Sequence, residues 1–113
     1  MSRALLEEID RLITEPNEAD DVLRGTVSAL IAVPGVRWAG IGFVEAGEVK
    51  VGPASGIPDE TRRTKVGVVF EGSKVGELWV DGDIDRRLLD EVASRVAAQV
   101  LIGWDTGGVA WDP

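Results

Sequence analysis

The 113-residue chain has no cysteine and no histidine. The first absence excludes disulfides and thiol chemistry. The second removes the commonest general base at neutral pH and the commonest metal ligand, which argues against a haem or zinc site. Basic residues are also sparse, 12 against 20 acidic ones, for a net charge of −8. Such a surface repels nucleic acid and anionic membranes, and it is equally an ordinary solubility device. No apolar run approaches the ~20 residues that span a bilayer, and the first residues carry no signal-peptide pattern. These absences predict a cytoplasmic protein with no metal, cofactor, nucleic-acid or membrane partner.

What is present suits one domain over residues 1–113, with 103–113 as an irregular tail carrying Trp111 beyond Trp104. "SRALLEEIDRLIT" reads as a helix with Leu5, Leu6, Ile9, Leu12 and Ile13 on one face and Ser2 as its cap. Glu7 and Arg11 are spaced to pair on its wet side. A second helix is predicted from Asn17, with Asp20 three residues on as a capping-box partner. Its stripe is Val22, Leu23, Val27, Leu30 and Ile31. Gly25 within it suggests close packing, and Pro34-Gly35 ends it.

The period then changes to two. "VRWAGIGFVE" and "EVKVG" read as a hairpin turning at Ala46-Gly47, and "TKVGVVFEG" and "SKVGELWVDG" as a second, turning near Gly72-Ser73. "DIDRRLLDEVASRVAAQVLIGW" reads as a long helix capped by Asp83, with Arg86/Asp90, Arg87/Glu91 and Glu91/Arg95 as charge pairs. Two hairpins without a crossover helix predict an α+β fold, an antiparallel four-stranded sheet with helices on one face. A roadblock- or profilin-like sandwich is the alternative.

"ADDVLRGTVSAL" and "GSKVGELWVDGDIDRRLLDEVASRVAAQV" resemble the second helix and the closing strand and helix of GAF domains. "RWAGIGFVEAGEVKVGPASGIP" resembles the branch that includes the free methionine-R-sulfoxide reductases. The resemblance implies strand order 2-1-4-3. It places Trp38 where that family has its ligand-facing tryptophan. Thr64 falls where the family has a glutamate, and Trp79 and Asp81 where it has two aspartates. The family's lid segment is missing, since Pro58 runs directly into Asp59, and its cysteines are absent. The resemblance therefore implies a recognition surface without the reductase chemistry. It also implies a homodimer through the first and last helices, with Leu5, Ile9 and Leu12 meeting Val96, Val100 and Trp104 of a second copy.

Alternation places Val36, Trp38, Gly40, Gly42 and Val44 on one face of the first strand, and Val75, Glu77, Trp79 and Asp81 on one face of the last. In the resembling fold these strands are neighbours, so Trp38 and Trp79 could pair across them. The functional reading is a shallow cup floored by Trp38 and Trp79, kept low by Gly40 and Gly42 and rimmed by Glu77 and Asp81. It suits a cationic or amphipathic small molecule. Pro53 and Pro58 would bend loop 53–63 across it, and Arg62, Arg63 and Lys65 could clamp an anionic group. The plain reading is a covered aromatic patch beside a solvated loop. The two functional classes are a non-catalytic sensory or regulatory module and a structural dimerisation or scaffold domain. A degenerate enzyme is the third, and the missing Cys and His count against it.

Overall fold

A computed structural model describes residues 2–15 and 18–105; side chains are described for 3–15 and 18–103. Helix α1 (Ser2–Thr14) and helix α2 (Ala19–Ile31) precede strands β1 (Val36–Glu45), β2 (Glu48–Gly56), β3 (Arg63–Phe70) and β4 (Ser73–Gly82), and helix α3 (Arg86–Asp105) closes the domain. The sheet is antiparallel in the order β2-β1-β4-β3, as expected. Residues 103–105, expected in the irregular tail, belong to α3, while Asn17, the Ser2 and Trp104 side chains and residues 106–113 with Trp111 lie outside what is described. At the start of α2, Glu18 is the N-cap, without a side-chain capping bond.

Alternate residues of the strands build the core. Ala39, Ile41, Phe43, Val66, Leu78 and Val80 are buried on one face, under Leu23, Val27 and Leu30 of α2 and Leu89, Val92 and Val96 of α3. Helices α2 and α3 cover the sheet, and α1 packs on those two helices. That placement consumes the stripe expected to join two copies. Leu5, Ile9, Val96 and Val100 are all buried within one chain. A Cβ on Gly25 would lie 2.8 Å from Leu12 Cδ1, so Gly25 lets α1 approach α2 as expected.

Locally the chain departs from the expected pattern at several points. Arg11 pairs with Glu8 and Glu15. Helix α3 begins after Asp85, whose Oδ1 accepts from the Arg87 N–H, so Asp85 is the cap instead of Asp83. The second hairpin turns at Glu71-Gly72, one residue earlier than expected. Like Ala46-Gly47, this pair has both φ angles positive (50° and 82°), the backbone of the two-residue turn that matches strand twist. Strand β2 runs on to Gly56, so Pro53 sits in an edge strand, where a missing N–H is tolerated.

Two register shifts also move expected neighbours. One lies in β1 at Arg37 and the other in β4 at Val75. Each inserts an extra residue and reverses the alternation beyond it. Val36 and Val75, expected beside the tryptophans, pack against the helix-covered core.

Candidate functional site

The helix-free face is built by side chains at paired positions. Trp38 pairs with Asp81, and Gly40 with Trp79. Arg63 pairs with Asp81, and Lys65 with Trp79. Directly paired residues point to the same side of a sheet. The two indoles lie 6.5 Å apart at an interplanar angle of 42°, inside the range in which tilted aromatic pairs attract. Trp38 is 8% exposed and Trp79 is half-buried.

The low floor expected beside Trp38 exists, and the chain's own side chains fill it. A Cβ on Gly40 would lie 2.5 Å from Trp38 Cη2. The glycine is therefore the seat of the Trp38 indole, which lies across the sheet. A Cβ on Gly42 would lie 2.4 Å from Val49 Cγ1, so Val49 covers that position.

Above the indoles sits Arg63. Its guanidinium carbon is 4.5 Å from the Trp38 ring centre and 5.2 Å from that of Trp79, and Lys65 Nζ is 4.4 Å from the Trp79 ring. All three distances are within cation–π range. Asp81 holds the guanidinium from its edge. Arg63 Nε donates to Oδ1 at 2.7 Å and Nη2 to Oδ2 at 2.8 Å. Asp81 is fully buried, and its Oδ2 also accepts from the Asp59 N–H at 2.7 Å. Burial acts to raise the Asp81 pKa, but the Arg63 hydrogen bonds, the Asp59 N–H and the Arg63 charge outweigh it. The carboxyl is held below its ordinary value.

Glu77 completes this face. Its carboxylate accepts from Lys74 Nζ at 2.6 Å and from Trp79 Nε1 at 2.7 Å. The Lys74 bond is the main cause of its lowered pKa. Arg62 does not join: it turns to the sheet end and pairs with exposed Asp83. Segment 57–63 lies near the tryptophans, as expected, and the chain turns into it at Gly56, beyond Pro53. Gly56 has φ 101°, and a Cβ there would meet the Arg37 carbonyl oxygen at 2.2 Å. The Ile57 N–H then donates to that same carbonyl.

The expected residues Trp38, Gly40, Glu77, Trp79, Asp81 and Arg63 thus form one cluster. Gly42 lies under Val49, and Arg62 is elsewhere. Lys65 is closer to the indoles than its role in an anion clamp suggested. Its period-two spacing from Arg63 was the available signal.

No protein-family model and no curated protein matches the chain by sequence. Solved structures do share its arrangement. The GAF domain from a phosphoenolpyruvate-protein phosphotransferase of Coxiella burnetii aligns with a TM-score of 0.75 at 10% identity, over 96% of this chain and 97% of that one. The fold is the GAF fold. A GAF fold is also shared with the fRMsr of Staphylococcus aureus in complex with substrate, at a TM-score of 0.72 and 16% identity, over 88% of this chain and 95% of that one. The free methionine-R-sulfoxide reductase from Neisseria meningitidis, in complex with its substrate, aligns at 0.67 and 14%, over 91% and 89%. Likeness at this identity establishes the GAF fold and no activity.

The helix side carries an open cleft of about 700 Å³. It is lined by Leu5, Ala29, Val33, Pro34 and Leu88, with Glu8 and Asp85 at its edge. None of the residues around Trp38 borders it. Among the described residues no helix is long and apolar enough to cross a membrane.

Proposed function

We propose that the protein is a non-catalytic sensory or regulatory module that recognises a small molecule on the Trp38–Trp79 face. The observation that supports this is a buried carboxylate, a guanidinium and two indoles gathered on the one sheet face that no helix covers. Core packing does not require such a group, and buried ionic clusters are costly relative to apolar packing. The reading is non-catalytic because sulfoxide reduction by a thiol route needs a cysteine nucleophile and a resolving thiol, and the chain has neither.

A second reading, a structural domain without ligand, is favoured by one observation: Arg63 and Lys65 already occupy the cation–π positions. The two are separated by titrating amphipathic amines and amino acids, free methionine-R-sulfoxide among them, and following tryptophan emission in a Trp104→Phe, Trp111→Phe background. A saturable change that disappears in Trp79→Phe is expected. No response from any compound contradicts ligand recognition, and sulfoxide turnover above background with a dithiol contradicts the non-catalytic reading.

Self-association belongs to the same reading, but it must use another part of the helix layer. Leu101 and Ile102 of α3, 38% and 49% exposed, are available for it. A light-scattering mass above one chain at micromolar concentration is expected, and it should fall in Ile102→Glu. A single-chain mass at every concentration contradicts it.

A further inference from the structure

We propose that the Trp38–Trp79–Asp81 cluster is a binding site for a planar organic cation of the guanidinium class, and that Arg63 occupies it in cis as a built-in competitor. The proposal rests on the ligand-recognition reading of this face and adds to it the ligand's chemistry and the means of control.

The geometry is that of a cation already bound. Two neighbouring indoles contact it from the sheet side, with ring centres 4.5 and 5.2 Å from the guanidinium carbon. Its fork is met edge-on by both oxygens of Asp81. An ammonium group can make the charge contact, but it cannot make two parallel bonds and stack at the same time. Asp81 is fully buried, while the Arg63 side chain is 13% exposed. The carboxylate is therefore the floor of the site, and the guanidinium enters from the solvent side.

The position of Arg63 in the chain makes it removable. It is the first residue of β3, directly after the 3-10 turn at Glu60–Arg62. The segment before it is held by few directional contacts: the Ile57 N–H to the Arg37 carbonyl, the Asp59 N–H to Asp81, and the exposed Arg62–Asp83 pair. Ile57 is 70% exposed. Withdrawing Arg63 therefore disturbs a strand end and a short turn, and leaves the helix-packed face intact. The backbone of such a short exposed segment opens at low free-energy cost; the main cost of withdrawal is the Arg63–Asp81 pair, which an incoming guanidinium restores.

A tethered competitor presents itself at high effective concentration, of millimolar order or above for a short link. An external cation therefore binds only in the fraction of molecules with Arg63 withdrawn, and its apparent affinity falls by that fraction. Anything that pulls segment 57–63 off the sheet raises affinity at the site without touching it.

The test is chemical rescue of Arg63→Ala by N-ethylguanidinium chloride at low millimolar concentration, with ethylammonium and sodium chlorides as matched salts. Removing Arg63 strands the Asp81 carboxylate, so Tm should fall by roughly 10 °C or more. N-ethylguanidinium should then raise Tm saturably and shift tryptophan emission, while ethylammonium does so at least about tenfold more weakly. Wild type should need at least about tenfold more N-ethylguanidinium than Arg63→Ala for the same emission change. The double variant Arg63→Ala, Asp81→Asn should show no rescue. If Arg63→Ala is unfolded, recovery of its helical circular dichroism on refolding with N-ethylguanidinium is the equivalent result. Equal effects of all three salts, or no rescue in either format, would overturn the proposal. Silence of wild type toward every small molecule would defeat the recognition reading and leave rescue of Arg63→Ala standing.

Discussion

The two faces of the sheet come from the same four strands and are held by different physics. On the helix side, Ile41, Phe43, Leu78 and Val80 lose all contact with water. Their contribution is non-directional and follows the area buried. On the open side, the neighbouring residues Trp38, Arg63, Trp79 and Asp81 are joined by named bonds and ring contacts. One face tolerates any apolar set of the right volume, and the other depends on individual atoms. On the proposed reading, the first face maintains the fold and the second serves recognition.

The largest effect belongs to the helix side. Phe43→Ala should cost about 3–5 kcal/mol, because it deletes a fully buried ring and leaves a cavity. Urea unfolding with an unchanged m-value checks it. A loss below about 1 kcal/mol would mean that this face collapses freely, and the contrast between the faces would fail. The pH dependence should remain that of wild type, since no titrating group is touched.

The open side should show itself in acid. Asp81 and Glu77 both have pKa values lowered by folding. Such groups add stability above their unfolded pKa values, near 4, and lose it as pH falls through the lower folded values. Stability should therefore be level from neutrality down to about pH 5 and fall steeply below about pH 4. Asp81→Asn should flatten that acid limb and cost about 2–3 kcal/mol at pH 7, where Arg63 loses its charged partner. An acid limb identical to wild type would show that Asp81 does not titrate with folding.

Much of this division was legible in the residues. Alternation alone separated Trp38 and Trp79 from Ile41 and Leu78, and the turn signals gave two hairpins, while the sheet order came only from the resemblance to GAF domains. The Arg63–Asp81 pair was not legible, because register decides it. The turn read at Gly72-Ser73 places Thr64 across from Asp81. With the true turn at Glu71-Gly72 and no bulge, Arg63 would lie across from Val80. Only the extra residue at Val75 carries Arg63 to Asp81, and a one-residue slip reverses every side chain. The filled floor was hidden for a related reason. A glycine in a strand leaves space, but the alternation does not say that the Trp38 ring lies down across Gly40.

The contrast between the faces requires that Arg63, lying over the indoles, and Asp81 act as one unit. A double-mutant cycle on Arg63→Ala and Asp81→Asn, read by urea unfolding at pH 7, tests it most directly. The predicted coupling is about 1–3 kcal/mol, against less than about 0.5 for the same cycle on the exposed Arg62 and Asp83. A coupling for Arg63 and Asp81 no larger than that of the exposed pair would contradict it.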